Sequence, residues 1–478
     1  MGLLDYVGED VTSTSVLVLL AVLVRVLTGL SSYSGAGDPP KYGDYEAQRH
    51  WMELTVNLPV REWYTDSPVN NGSYWPLDYP PLSGYQSWLC GLLVRSVEPA
   101  AVALLSSHGW ESPASKSAMR ATVLAADLLV YIPACLFAVH VFYGSSSPGF
   151  RSGRQDTASG RGAAATAAAQ ARRRRRSRAL ALFALLFNPA VLLIDHGHFQ
   201  YNGISLGLTL AAAAAIAAGS GAAAGEGGEG GEGGGGEAPG AEEEEDAAGA
   251  AAAGAKEQQG QGQQRERRWL VLLGAVLYCL ALNHKQMSLF FAPAFFAHLL
   301  GWALHGRGRR GAADRAAAVA QLGATVLASF AVCWAPYLGS VSQAAQVLAR
   351  IFPVRRGLFE DYVANWWCAS SLGPLKWKTR FTGAVLLRAA AGATLAAAAP
   401  AMTHQILGRG GAGAGAGGPT RWGLLRCMAN SGFAFFMFSY QVHEKSILLP
   451  LLPLSLLAGR HPGLAAWLPL LAALSMFP

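Results

Sequence analysis

GDYEAQRHWMEL at residues 43–54 and YWPLDYPPL at residues 74–82 open and close the most polar stretch of the chain. The stretch carries Asp44, Glu46, Glu53, Glu62, Asp66 and Asp78, with Arg49, His50 and Arg61. Almost everything after it is apolar and reads as helix. Ionisable groups are costly near lipid, so a cluster of them in a greasy chain is a candidate site. A loop between two apolar segments holds carboxylates cheaply, however. The weight of the cluster therefore depends on what shares its side of the membrane.

The surroundings decide the class. Of 478 residues, 52% are hydrophobic and 14% charged, with a mean hydropathy of +0.25. A soluble domain carries about 25% charged residues. The deficit and the repeated apolar runs predict an all-α polytopic membrane protein, a single multi-span domain over 1–478. Segments near 11–30, 120–143, 179–194, 203–218, 269–282, 288–304, 316–337, 382–402, 427–440, 447–459 and 464–477 make about eleven spans. The first lacks a basic leader and a cleavage signature, so it reads as a retained helix. The net charge of +7 sits in connecting loops, as in membrane proteins, and is no nucleic-acid footprint.

Arg172 to Arg176, Arg265 to Arg268, Arg307 to Arg310 and Arg421 all fall in even-numbered loops. The positive-inside rule puts those loops in the cytosol, against the pull of an acidic N-terminus (Asp5, Glu9, Asp10). Two of them, 144–178 and 219–268, hold Gly-, Ala-, Ser- and Glu-rich inserts with no apolar face, expected to be disordered. The loop 31–119 is then the first lumenal loop. DHGHFQYN (195–202), NHKQM (283–287), RIFPVRRGLFEDYVANWWC (350–368) and SYQVHEKS (439–446) fall on the same side. The expectation is a bundle with a polar reaction chamber at one face.

Each motif has two readings. Asp44 starts a helix and suits an N-cap, and a cap aspartate at an exposed helix start is also placed to meet a ligand. Ala47, Trp51, Leu54 and Leu58 form a stripe that fits a helix lying at the interface. Asp78 precedes a rigid Tyr-Pro-Pro corner and is either a turn former or functional. His196 and His198 near Asp195 could bind a metal, but no third neutral ligand is at hand. His443, Glu444 and Lys445 are consecutive where a neutral turn would suffice. Lys445 or His443 faces an anion, or Lys445 pairs with Glu444. Arg355 and Arg356 stand where arginines are otherwise scarce, and Arg suits phosphate.

GDYEAQRHW, LDYPPL, DHGHFQYN, KQM, FPVRRGLFEDYVANWWC and QVHEKSIL together resemble the endoplasmic-reticulum glucosyltransferases that use dolichyl phosphate glucose. Within them the chain is most similar to the branch that adds the first, α-1,3-linked glucose to a nine-mannose lipid-linked oligosaccharide. The second-glucose branch is the alternative. The resemblance runs from about residue 40 to 477 and implies the fold of lipid-phosphate-sugar (GT-C type) glycosyltransferases with a large first lumenal loop. Members continue through further helices, whereas this chain stops at Ser475-Met476-Phe477-Pro478, so a C-terminal truncation is expected.

The resemblance also implies a donor, dolichyl phosphate glucose, an acceptor, the dolichyl-pyrophosphate-linked oligosaccharide, and the endoplasmic reticulum membrane. No nucleic acid, cofactor or metal is implied. A β-linked donor and an α-linked product mean inversion, which needs a general base on the acceptor hydroxyl. That role maps to Asp44, with Asp78 second. Lys445, His443 and Arg356 are expected at the donor phosphate. Glu46, Arg49, His196, His198, Gln200 and Glu444 are expected around the acceptor chamber. A transporter would place polar groups at mid-span in two similar halves. Here Arg25 and Asp127 are mid-span exceptions, most charges sit at one face, and no repeat is seen.

Overall fold

The structure, a computed structural model, describes residues 11–144, 160–220, 268–306, 311–352, 357–359, 363–371, 375–407 and 419–475. Arg355, Arg356 and the body of the 219–268 insert lie outside the described residues. Helix dominates, and the only β-pairing among the described residues is two isolated bridges. We number the principal helices α1 (Val11–Gly29), α2 (Gly43–Asn57), α3 (Pro81–Val97), α4 (Pro113–Tyr143), α5 (Gly160–Leu186) and α6 (Asn202–Gly219). Then follow α7 (Arg268–His284), α8 (Gln286–His305), α9 (Ala312–Tyr337), α10 (Val341–Ile351), α11 (Gly383–Leu407), α12 (Arg421–Phe438), α13 (Leu448–Leu456) and α14 (Pro462–Ser475).

Within the described residues, every expected apolar segment lies on helix. Among the described residues, six helices are long and apolar enough to cross a membrane unaided, while α1, α7 and α14 are shorter. The protein is a multi-pass membrane protein. Its main core joins α4, α5, α6, α12 and α13 through Tyr131, Phe142, Leu182, Leu210, Met428 and Leu452. Lipid gives helices no hydrophobic reason to associate, so close approach depends on small side chains. The alanines 212–215 of α6 are fully buried. A Cβ at Gly274 of α7 would come within 2.8 Å of the Ala212 carbonyl oxygen. By contrast, only 17% of the apolar window of α9 and 22% of that of α11 is covered by protein, so these helices face lipid.

Charge inside the bundle is paired. Arg25 Nε of α1 donates to Asp127 Oδ2 of α4 at 2.5 Å, and both side chains are buried. Arg25 Nη1 also reaches the carbonyls of Ala21 and Leu186, at 3.1 and 2.9 Å. The mid-span pair therefore ties three helices together.

Two expectations change. Ala47, Trp51 and Leu54 of the expected interfacial stripe are in fact buried, as is every residue from Tyr45 to Thr55, and Leu58 just past the helix is half-buried. Helix α3 covers one side closely, since a Cβ at Gly91 would meet Val56 and Met52. The chain around 101–109 covers the charged side. The second half of the 144–178 insert is helix rather than disordered, because α5 begins at Gly160. Its alanines are the best helix formers, and the apolar half of α5 supplies the nucleus from which they extend. The rest of that insert lies outside the described residues.

Candidate active site

The polar stretches meet at one end of the bundle. Gln441 N donates to the Leu358 carbonyl at 2.9 Å. Gln286 Nε2 reaches the Asp78 and Ile351 carbonyls at 3.2 and 3.5 Å. The centre of the meeting is Asp44.

Asp44 is not the cap of its helix. Tyr42 holds that position with φ of 56° and makes no side-chain cap. Gly43 follows with φ of +65°, and a Cβ there would lie 2.7 Å from the Ser34 carbonyl, so this sharp entry requires glycine. The turn frees the Asp44 carboxylate to point away from its own backbone. Lys445 Nζ donates to Asp44 Oδ2. Gln200 Nε2 donates to the same oxygen at 2.7 Å, and His198 Nε2 lies 2.8 Å from it. Lys445 Nζ is 2.9 Å from His198 Nε2. Among the described residues, nothing engages Oδ1. The Asp44 side chain remains one-quarter exposed.

Burial pushes the Asp44 pKa up, but the His198 hydrogen bond and the Lys445 charge outweigh it and hold the group well below the usual carboxylate range.

His198 and Gln200 arrive together because the chain before them is not ordinary α-helix. Leu192–Phe199 is a π-helical stretch, and Phe199 has φ of 89°, a conformation rare for a residue with a side chain. Such distortions favour functional sites. Arg120 pins the stretch by donating to the carbonyls of His196 and Gly197 at 2.5 and 2.8 Å.

The two histidines of this motif part company. His196 Nε2 lies 3.0 Å from Asp127 Oδ2, inside the bundle rather than at the chamber. His198 alone faces Asp44. They hold different carboxylates, so the motif does not present them as a joint pair of metal ligands.

The 443–445 motif also divides. His443 Nδ1 lies 2.9 Å from Glu444 Oε2, while Lys445 turns to Asp44. Asp78 sits half-buried at the corner into α3, beside Tyr79, whose ring centroid is 4.8 Å from Lys285 Nζ.

Glu46 and Arg49, expected at the chamber, lie in a closed network on another face of α2. Arg49 donates to Glu46 twice at 2.6 Å and to Glu53 at 2.8 Å. Tyr74 and Gly109 also bond Glu46, at 2.8 and 3.1 Å. Burial raises the Glu53 pKa, but His50 and Arg49 more than reverse this and bring it down to about 2. Among the described residues, His50, Glu53 and His108 form the group whose ligand atoms are close enough to share a metal ion. That carboxylate is already paired with the Arg49 guanidinium, which it shares with Glu46.

The NHKQM turn brings one further residue to the site. Lys285, between α7 and α8, is almost fully buried. Its Nζ donates to Gln200 Oε1 at 2.9 Å and Asn202 Oδ1 at 2.5 Å. A lysine in a short turn between two apolar segments was the available signal.

The arrangement places one carboxylate, one ammonium and one imidazole at the end of a membrane bundle. It can take a proton from a hydroxyl and meet an anion beside it. The profile of the ALG6, ALG8 glycosyltransferase family matches residues 17–226 and 263–478. A probable dolichyl pyrophosphate Man9GlcNAc2 alpha-1,3-glucosyltransferase from Arabidopsis thaliana is 40% identical, covering 98% of this chain and 71% of its own. The Mus musculus protein of that name, without the qualifier, is 38% identical over 97% and 73%. The Saccharomyces cerevisiae protein is 33% identical over 99% and 71%. With matches of this extent along nearly all of the sequence, the chain belongs to the ALG6, ALG8 glycosyltransferase family.

Proposed function

We propose that this protein transfers glucose from dolichyl phosphate glucose to a dolichyl-pyrophosphate-linked nine-mannose oligosaccharide, forming an α-1,3 linkage at the lumenal face of the endoplasmic reticulum membrane. The observation that carries this reading is the convergence of His198, Gln200 and Lys445 on one oxygen of Asp44. The names of the relatives support the acceptor and the α-1,3-glucosyl transfer, and the donor and the lumenal site rest on the resemblance of the motifs. Complementation tests it: in cells lacking the first glucosyltransferase, the chain is expected to restore glucosylated lipid-linked oligosaccharide. Persistence of the nine-mannose form with good expression would contradict it, as would activity only on the monoglucosylated form.

The step is a single displacement. Asp44 Oδ1 accepts the proton of the acceptor hydroxyl, whose oxygen bonds to the anomeric carbon as the carbon–phosphate oxygen bond breaks. The electron pair leaves with dolichyl phosphate. Phosphate is a good leaving group and needs a cation more than a proton. Lys445, bound to Asp44 before substrate, supplies that cation, with His443 nearby and Arg356 a further candidate. Moving Lys445 onto the phosphate also raises the basicity of Asp44 when the hydroxyl is present.

Two outcomes follow from the charges. Lys445→Ala is expected to lower kcat by about 10²–10³, the usual loss for one donor to developing anionic charge, with transfer by the wild type surviving excess EDTA. Inactivation by EDTA reversed by a divalent ion would defeat the metal-free step. Second, kcat/KM reports the free enzyme, in which the Asp44 pKa is depressed. The working carboxylate is present above that value and lost only as pH falls through it. The acid side of the kcat/KM profile should therefore stay flat down to about pH 5. A midpoint near the ordinary histidine value would assign the base to an imidazole.

A further inference from the structure

Gln200 stands between Lys285 and Asp44. Its Oε1 accepts from Lys285 Nζ at 2.9 Å, and its Nε2 donates to Asp44 Oδ2 at 2.7 Å. An amide has one acceptor end and one donor end. Set between an ammonium and a carboxylate, it has one orientation that satisfies both. The reverse orientation puts NH₂ against a cation and oxygen against an anion. Asn202 repeats the pattern on the other side of the lysine: its Oδ1 accepts from Lys285 at 2.5 Å, and its Nδ2 donates to Asp195 Oδ1 at 2.6 Å. One buried ammonium thus orients two amides, each of which turns its NH₂ towards a carboxylate, and Asn202 Nδ2 also lies 3.2 Å from Gln200 Oε1.

We propose that Lys285 is a positioning residue for transfer: it locks the Gln200 amide so that its NH₂ holds Asp44 Oδ2, leaving Oδ1 aimed at the acceptor hydroxyl. A buried lysine whose hydrogen-bond partners among the described residues are two neutral amides is an expensive residue to keep, and aiming the base is what it provides. Lys285 Nζ bonds Gln200 and Asn202 and reaches Asp44 through Gln200, so its influence on the base travels through that amide. This inference rests on the reading of Asp44 as the base.

The test is a double-mutant cycle on purified full-length protein, with transfer measured from dolichyl phosphate glucose to the lipid-linked nine-mannose acceptor. Lys285→Met and Gln200→Leu are each expected to lower kcat about 10–100-fold, the usual cost of losing an outer support of a site. Both KM values should stay within about twofold, because binding is not what the relay serves. The double variant should be no worse than either single variant within about threefold, since the second change removes a link already broken. Losses that multiply would show that Lys285 acts independently of Gln200 and would overturn the proposal. So would an unchanged kcat for Lys285→Met, or a loss confined to KM. If Lys285→Met does not give monodisperse protein, Lys285→Gln takes its place. Its loss, whatever the size, must vanish in the Gln200→Leu background. Asp44→Asn serves as the control: normal turnover there would refute the base itself, whereas multiplying losses with Asp44 still essential would refute only the relay.

Discussion

Asp44→Asn is expected to yield folded protein whose turnover is lower by ~10²–10⁴, the range for a lost general base. Asparagine has the size and shape of aspartate, and its Oδ1 still accepts from Gln200 and Lys445. The carboxylate is one-quarter exposed and Lys445 is not fully buried, so water can take over part of what the lost ion pair supplied. The proton acceptor is what disappears. Glucose transfer and thermal unfolding of the same preparation check this together. Near-normal turnover would remove Asp44 from the mechanism and promote Asp78. Unfolding would show that the carboxylate is structural.

The second large effect is on stability. Asp127→Leu leaves Arg25 buried without its counter-charge, which costs about 3–5 kcal/mol when a buried pair is broken from one side. His196 loses its partner as well, and His196 lies two residues from His198. Reduced turnover should therefore accompany the lower unfolding temperature. Replacing both members of such a pair by apolar groups is far less costly than replacing one, so Arg25→Leu/Asp127→Leu should recover much of the lost stability. Equal unfolding temperatures for the single and double variants would mean that the pair is not what joins α1 to α4.

Much of this architecture was legible in the sequence. Apolar runs give helices wherever they are long, and the positions of the arginines set which loops share a side. That grouping brought the 43–82, 195–202, 283–287 and 439–446 stretches to one face, where Asp44, His198, Gln200, Lys285 and Lys445 now touch. The failures have local causes. The stripe on α2 looked interfacial because a sequence shows one face of a helix and not what covers the others. The alanine run at 160–171 looked disordered because composition alone does not reveal that an apolar helix continues it.

Side-chain choice was harder to read than position. Glu46, Arg49 and Glu53 stand within three turns of Asp44 in sequence, yet helical rotation turns them to the 101–109 chain. The local sequence offers Lys445 either Glu444 or an anion as its partner. Its partner before substrate is Asp44, 401 positions away, which no local pattern could show. Lys285 is hard to read from sequence because its partners, Gln200 and Asn202, are neutral and give no charge pattern to match.

The most direct measurement uses purified protein in lipid, supplied with dolichyl phosphate glucose and the lipid-linked nine-mannose acceptor in excess EDTA. The predicted result is a single added glucose in α linkage, with no product when a nucleotide sugar replaces the lipid donor. Transfer from the nucleotide sugar, or a β-linked product, would contradict the account.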